Sequence, residues 1–238
     1  MTYLEKNGVL TFDGVVSSDF QVWIRGEGTY NAAKRQYTTV KVPGRNGTLT
    51  IDNGAYEEIN HIYSAFIVDD LENNLTRFRN QLLSRPGLRR LEDSYHPDEF
   101  YRARFMDGLE ATVHPAGEAG EFNLTFQRDP RRFLKSGEFV HRIKNGDTIY
   151  NPTLYHSKPL IEVTGYGTIT IGNESVVIAN AYPSIIIDCE LMDCYYGTTN
   201  ANGAVTLTEF PDLAPGETGI TFSNTITQVL LKPRWWYL

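Results

Sequence analysis

Three carboxylates in the last quarter of the chain have the spacing that comes nearest to a catalytic arrangement. Asp188 and Glu190 stand two residues apart in "SIIIDCELMDCYYG", and Asp193 follows. The apolar run before them predicts a strand, and residues two apart on a strand share one face. A pair of carboxylates on one face is the arrangement that glycosidases use for acid/base catalysis. The alternative is a solvated strand face, which we favour.

No other stretch of the sequence matches a catalytic or cofactor-binding motif. There is no G-x-S-x-G nucleophile elbow, and "PGRNGT" lacks the Gly-Lys-Ser/Thr of a phosphate-binding loop. No two histidines have the H-x-x-x-H spacing of a metal site, and each is expected to be structural or on the surface. The five are His61, His96, His114, His141 and His156. We therefore expect no enzymatic activity, no metal and no cofactor.

The two cysteines, Cys189 and Cys194, lie five residues apart. A zinc site needs more ligands than this pair supplies. Two neighbouring thiols also cannot cross-link 238 residues. We expect both to be reduced and structural.

The segment "RDPRR", residues 128–132, is a concentrated group of cations. Such a group could bind a phosphate or another anion. Ion pairs between domains or between subunits are the alternative, and we favour them because the chain as a whole is acidic. It has 22 Lys and Arg against 29 Asp and Glu, a formal charge of −7.

Composition excludes some classes of protein. The acidic balance argues against nucleic-acid binding, which usually needs a basic surface. No run approaches the roughly 18 apolar residues of a membrane span, and "MTYLEKNGVLTF" has no signal-peptide pattern. We expect a soluble protein folded in a cytoplasm, without specific nucleic-acid or membrane binding.

Alternation of apolar and polar residues predicts strands along most of the chain, with one helix. "DDLENNLTRFRNQLLSRPG" places Leu71, Leu75, Phe78 and Leu82 on a single stripe, which predicts a helix over about 70–84 that lies on a sheet. Asp69 or Asp70 is expected to cap its start, and the pair Pro86-Gly87 to follow its end.

A change of character near residues 133–145 predicts a domain junction, since this stretch is rich in Gly, Asn, Pro and Lys. Beyond it, short strands recur about every ten residues, as in a β-sandwich. We predict two domains, 1–138 and 139–238. The final "VLLKPRWWYL" is expected to be a packed last strand, with Trp235 and Trp236 on opposite faces.

Several stretches in order resemble the distal tail protein (Dit) family of long-tailed, non-contractile bacteriophages. They are "FDGVVSSDFQVWI", "VPGRNGTL", "LLSRPGLRRLEDSYHPDEFYRARF", "TFQRDPRRF", "DCELMDCYYG" with "NANGAV", "FPDLAPGETGITF" and "VLLKPRWWYL". No single stretch is diagnostic. Their order and spacing across nearly the whole chain carry the resemblance.

The resemblance implies an N-terminal β-sandwich with one helix that assembles into a hexameric ring, and a C-terminal galectin-like β-sandwich. It implies a structural hub at the tip of a phage or prophage tail. The expected partners are further copies of the chain, the tail-tube and tape-measure proteins, the tail-associated lysin or fibre, and receptor-binding or baseplate proteins. The expected location is the virion tail tip, after assembly in the bacterial cytoplasm.

A ring needs two different complementary patches on each subunit. Within "VPGRNG", Pro43 stiffens a loop in which Gly44, Asn46 and Gly47 tolerate unusual backbone angles, so that Arg45 projects. An ordinary hairpin tip is the alternative. We predict that the oligomer interface includes Pro43, Gly44, Arg45, Asn46, Gly47, Arg131 and Arg132.

A carbohydrate-binding module that acts in adhesion to the host surface is the alternative function. Its sugar platform would be Tyr195 or Tyr196, which alternate on a strand, so at most one is exposed. A galectin-like fold does not by itself provide a sugar site.

Overall fold

The computed structural model describes residues 7–29, 31–106, 108–113 and 119–238. The chain divides into two units, Met1–Arg132 together with Leu238, and Phe133–Tyr237. Each unit has its own apolar core. In the part of the chain that the structure describes, no helix is both long and apolar enough to span a membrane.

The first unit contains ten strands and one α-helix among its described residues. In chain order they are β1 (Leu10–Phe12), β2 (Val15–Val16), β3 (Val22–Arg25), β4 (Arg35–Lys41), β5 (Thr48–Tyr56), β6 (Ile59–Ile67), α1 (Leu71–Leu83), β7 (Arg89–Asp93), β8 (Glu99–Phe105), β9 (Ala111–Val113) and β10 (Gly120–Arg128). A 3-10 turn, Ser17–Phe20, joins β2 to β3.

One continuous antiparallel sheet forms most of this unit, in the order β2-β1-β7-β8-β10-β6-β3, with β9 beside β10. Its two ends meet, because Gly8 and Ile24 exchange two backbone hydrogen bonds of 2.9 Å. Phe12, Tyr63, Leu124 and other alternating side chains fill the interior. The sheet thus closes around its core, and the two-stranded ribbon β4–β5 is separate from it.

Helix α1 contributes its apolar stripe to that core, as the sequence predicts. Leu71, Leu75, Phe78 and Leu82 are all buried. Phe78 packs on Phe20, with ring centroids 5.5 Å apart. The four side chains belong to the same core as the inward-facing residues of the sheet.

The capping expectation for α1 is correct in position but wrong in mechanism. Asp70 is the N-cap residue, in the left-handed region with φ of 42°, and its carboxylate makes no capping bond to the backbone. That carboxylate instead accepts a hydrogen bond from the Asn73 side chain at 2.9 Å. The helix ends at Leu83, before Pro86-Gly87.

The second unit is built from thirteen strands. They are β11 (Arg132–Leu134), β12 (His141–Ile143), β13 (Thr148–Asn151), β14 (Leu160–Gly165), β15 (Gly167–Ile171), β16 (Glu174–Ile178), β17 (Ser184–Asp188), β18 (Asp193–Tyr196), β19 (Thr199–Asn200), β20 (Val205–Leu207), β21 (Gly216–Phe222), β22 (Ile226–Lys232) and β23 (Trp236–Tyr237). Two 3-10 turns, Lys135–Glu138 and Asn202–Ala204, interrupt them.

Two sheets form a sandwich in this unit. One has the order β12-β22-β14-β17-β18-β19 and the other the order β13-β21-β15-β16-β20. Ile161, Ile187 and Val229 of the first sheet and Ile169 and Ile220 of the second are each 0% exposed and belong to one core. The strands of each sheet therefore bury one face between the two layers. The mainly β fold, with a single α-helix in the described residues, is confirmed.

The aromatic C-terminal segment is packed. Trp235 is 4% exposed and belongs to the core of the second unit. Trp236 faces another way: its ring stacks on Tyr155 at 4.6 Å, and its Nε1 donates to the His156 carbonyl at 3.0 Å. The backbone pairs with β11, where the Leu134 N–H donates to the Trp235 carbonyl. The two tryptophans thus occupy different faces, as the sequence predicts.

Candidate assembly interface

Strands β4 and β5 form a separate two-stranded hairpin in the first unit. Their register pairs Val40 with Leu49 and Thr38 with Ile51. Nearly every residue of both strands is exposed. Two-stranded hairpins are marginally stable alone in water. Packing against another protein surface would therefore stabilise this long hairpin.

One face of this hairpin is apolar. Directly paired residues lie on the same face of an antiparallel ribbon, so Val40, Leu49 and Ile51 share a face, and Val42 continues it. Their exposed fractions are 42%, 41%, 47% and 40% in the order Val40, Leu49, Ile51, Val42. The opposite face carries polar pairs such as Thr39 with Thr50. We call the four apolar residues the hairpin stripe.

The loop predicted to project does lie at the tip of the hairpin. Residues 42–47 are all exposed. Gly44 and Gly47 have φ of 79° and 85°, a region that other residues enter only at a cost. The Arg45 N–H donates to the Val42 carbonyl at 3.2 Å, which closes the turn. Pro43, Arg45 and Asn46 therefore lie on a turn of defined shape.

An ion pair joins the two strands of the hairpin. Arg35 Nε lies 2.7 Å from Asp52 Oδ2, and the guanidinium lies over the Tyr56 ring at 5.5 Å. The hydrogen bond to Asp52 raises the pKa of Arg35. The same bond, together with that from the Gly54 N–H, lowers the pKa of Asp52. Both groups stay charged at neutral pH, and they form a cross-strand contact near the irregularity between Arg35 and Tyr37.

The two later arginines of "RDPRR" are held by carboxylates of the same unit. Arg131 binds Asp129 through Nε at 2.9 Å and Nη2 at 2.7 Å. Arg132 binds Glu99 through two bonds of 3.0 Å. These ion pairs lie within one unit, whereas the sequence analysis favoured ion pairs between domains or between subunits. Arg128 is buried and makes no such pair with a described residue.

The carboxylate pair does not form the predicted strand face. Asp188 ends β17, whereas Glu190 lies in the turn that follows. Asp188 Oδ1 accepts the backbone N–H groups of Glu190 and Leu191, which starts that turn. Both Asp188 oxygens bind Arg234, at 2.7 and 2.9 Å. The expectation of a shared, solvated face is wrong, because Asp188 is buried in an ion pair that holds the C-terminal segment.

The histidines lie in separate environments. His61 is buried, His96 Nδ1 lies 3.0 Å from Asp93, His156 Nδ1 lies 2.9 Å from Asp212, and His141 is exposed. His114 lies outside the described residues. Among the residues that are described, no group of three or more His, Cys, Asp or Glu could hold a metal ion.

Both thiols are free and buried in the core of the second unit. Of the two tyrosines proposed as a sugar platform, Tyr196 is 41% exposed and Tyr195 is partly buried. The Tyr196 ring lies 5.6 Å from that of Tyr182. One tyrosine of the pair is thus accessible, as the alternation predicts.

The hairpin stripe is the surface that the sequence analysis did not single out. "YTTVKV" and "GTLTI" have the ordinary alternation of strands with one buried face. Whether that face is covered depends on the rest of the fold, and here no part of the described chain covers it. The sequence feature that could have indicated this surface is the length of the two strands on either side of a Gly-rich loop.

The fold is similar to those of phage tail hub and baseplate proteins. Among solved structures, the Dit protein of phage SPP1, a paradigm of the hub adsorption apparatus in phages that infect Gram-positive bacteria, matches with a TM-score of 0.71. The match covers 97% of this chain and 99% of that one at 13% identity. The resemblance stated from the sequence is thereby confirmed for the fold.

Two structures of the phage P2 baseplate in its activated conformation match as well. The Ca form has a TM-score of 0.52 at 11% identity and covers 96% of this chain and 97% of that one. The Sr form has a TM-score of 0.54 at 9% identity and covers 94% and 96%. No family model matches the sequence, and no curated protein matches it.

Proposed function

We propose that the protein is a structural, non-enzymatic hub at the tip of a long, non-contractile phage or prophage tail. The observation that carries this proposal is the match to the SPP1 Dit hub over almost the full length of both chains. A match that covers both units in one order supports a shared role more strongly than a match to either unit alone. The C-terminal sandwich is, in this proposal, the galectin-like domain of the hub.

The hub forms a closed hexameric ring through its first unit. A ring of identical subunits requires two unlike patches that fit each other. The hairpin stripe supplies one apolar patch, and the turn at 43–47 supplies a charged tip. Burial of the stripe against a neighbouring copy would remove four apolar side chains from water, a favourable term of about 25 cal/mol per Å². In this proposal Arg131 and Arg132 also belong to the interface.

The ring would join the tail tube and tape-measure protein on one side to the tail-associated lysin or fibre on the other. Receptor-binding or baseplate proteins attach to the same hub. The protein would be a virion component, assembled in the bacterial cytoplasm.

Charge reversal at the hairpin tip tests the ring. Arg45→Glu should lower the mass of the assembly measured by light scattering, because it changes a residue that reaches the neighbour. The circular dichroism spectrum should not change, because the tip buries little surface. Arg142→Glu is the matched control, an exposed arginine of the second unit with the same change of charge. Equal masses for both variants and the wild type would remove the hairpin from the interface.

Mixing with a partner protein distinguishes a ring that is weak in dilute solution from a protein that forms no ring. A ring that stacks on a tube can require its partner, so a monomer in dilute solution is re-examined after mixing with the tail-tube protein. Closed hexamers in the mixture support the hub. A protein that stays monomeric in the mixture contradicts it.

Carbohydrate binding is the competing function, and the exposed Tyr196 is the observation in its favour. A glycan array probed with wild type and with Tyr196→Ala decides between the two. Sugar binding that is lost in the variant would support adhesion. The hub proposal expects no bound glycan.

A further inference from the structure

Arg128, the last residue of β10, is a buried cation without a carboxylate partner. It is 4% exposed, and its Nε and Nη1 atoms have no acceptor among the described residues. Its guanidinium lies over the Tyr101 ring, 4.3 Å from the centroid. A stacked ring attracts the cation but accepts none of its in-plane N–H groups. Buried charged donors are normally paired, and an exception needs an explanation.

Three carboxylates near Arg128 are engaged elsewhere, and Glu27 and Leu238 line the same cavity. Both oxygens of Glu99 bind Arg132. Both oxygens of Asp129 bind Arg131. Asp93 accepts the Tyr63 hydroxyl and the N–H groups of Tyr95 and His96. Two of the guanidinium nitrogens of Arg128 therefore remain without a hydrogen-bond acceptor among the described residues.

Arg128 also lines a cavity of about 290 Å³ in the first unit. The walls include Glu27, Thr29, His61, His96 and Tyr101. His61 Nε2 donates to the Glu27 carbonyl at 3.0 Å, and burial, followed by the charge of Arg128, lowers the pKa of His61 to about 4. Burial raises the pKa of Tyr101 to about 12. At neutral pH both rings are uncharged, so neither neutralises the arginine.

We propose that this cavity binds one small oxyanion, a carboxylate or a phosphate, with Arg128 as the residue that recognises it. A planar guanidinium presents parallel N–H donors that match the oxygens of both anions. Thr29 and Tyr101 also line the cavity, and each carries a hydroxyl group. The ligand would neutralise the buried cation and tie β10 to the segment around Thr29. The inference is independent of the role of the chain in a tail.

Calorimetric titration of the full chain at pH 7 tests the site, with sodium phosphate and sodium acetate as probes at constant ionic strength. The wild type should bind phosphate, and its Tm should rise with phosphate but not with chloride. Binding of phosphate alone assigns the site to free phosphate. Binding of acetate as well assigns it to carboxylates, including those of other polypeptides. Absence of binding by both anions overturns the proposal.

Three variants link binding to the cavity. Arg128→Met should abolish the phosphate response. Glu27→Gln removes a negative charge at the rim, where the side chain is 56% exposed, and should tighten phosphate binding about two- to fivefold. Arg89→Met, an exposed arginine of the same unit, should bind as the wild type does. If Arg128→Met does not fold, the Glu27→Gln result decides. Unchanged or weaker phosphate binding in that variant overturns the proposal.

Discussion

Asp188 shows how the surroundings of a residue decide what its chemistry is used for. Burial alone would raise the pKa of this carboxyl. The hydrogen bonds and charge of Arg234, together with the backbone N–H groups of Leu191 and Glu190, outweigh burial and lower it. An acid catalyst needs the opposite, a pKa raised toward the working pH. Asp188 therefore has the environment of a charged residue that holds the C-terminal segment in place through Arg234.

Replacement of Asp188 by Asn should destabilise the second unit by about 3–5 kcal/mol, because Arg234 is left buried without its partner. Chemical denaturation measures this change. Asp212→Asn is the matched control, since Asp212 pairs with His156 at an exposed position, and it should cost less than about 1 kcal/mol. Equal losses in both variants would contradict the assigned role.

The same pair makes stability depend on pH in a defined direction. The pKa of Asp188 is lower in the folded state than its ordinary value of 3.8. Its contribution is therefore present in full above that value and is lost as the pH falls through the folded pKa. The difference in stability between wild type and Asp188→Asn should shrink below about pH 4. A difference that grows on acidification would contradict this.

The two thiols should be unreactive in the native protein. Burial raises the pKa of Cys189 to about 12 and that of Cys194 to about 11. At pH 8 about 0.1% or less of either thiol is then ionised, and only the thiolate reacts. Ellman's reagent should label neither cysteine in the native state and both in denaturant. Fast native labelling, or a disulfide in freshly purified protein by mass spectrometry, would contradict this.

At the scale of elements, helix α1 depends on its stripe. Leu75 is 7% exposed, whereas Leu83 on the same helix is 54% exposed. Leu75→Ala should lower the unfolding free energy of the first unit by about 2–5 kcal/mol, from lost transfer energy and the cavity left behind. Leu83→Ala, the control, should change it by less than about 0.5 kcal/mol. Urea unfolding measures both, and similar values would count against the burial of Leu75.

The hairpin β4–β5 is a long element whose apolar face is not covered by the described chain. Most of the longer strands alternate buried and less buried positions, but here both faces are open. An exposed apolar ribbon with free edges invites association. The proposed ring would use that tendency for one defined contact.

At the scale of the whole molecule, the division of the chain into two units predicts which unit forms the oligomer. The two units separate between Arg132 and Phe133, and Gly137 packs closely on Trp235 within the second unit. A fragment of residues 1–132 should still form a closed oligomer, because it carries the hairpin and the basic segment. Residues 133–238 should stay monomeric. Light scattering on the two fragments decides, and the reverse distribution would contradict the proposed ring.

The sequence by itself determined the elements whose pattern is local. The stripe of α1, the alternation of the strands and the placement of Trp235 and Trp236 on different faces follow from side-chain spacing along one segment. The resemblance to the distal tail family also rested on stretches of the chain in order. These features can be predicted without knowing which residues each side chain contacts in the folded protein.

Only the tertiary structure decided which residues that are far apart in the sequence become partners. Arg234 reaches Asp188 from 46 residues away, and Arg132 reaches Glu99 from 33 residues away. The same contacts leave Arg128 without a carboxylate among the described residues and the hairpin stripe uncovered. A periodic pattern states that a face is apolar, but long-range packing determines whether anything covers it. For this reason the sequence predicted the strands of the hairpin and missed the surface they present.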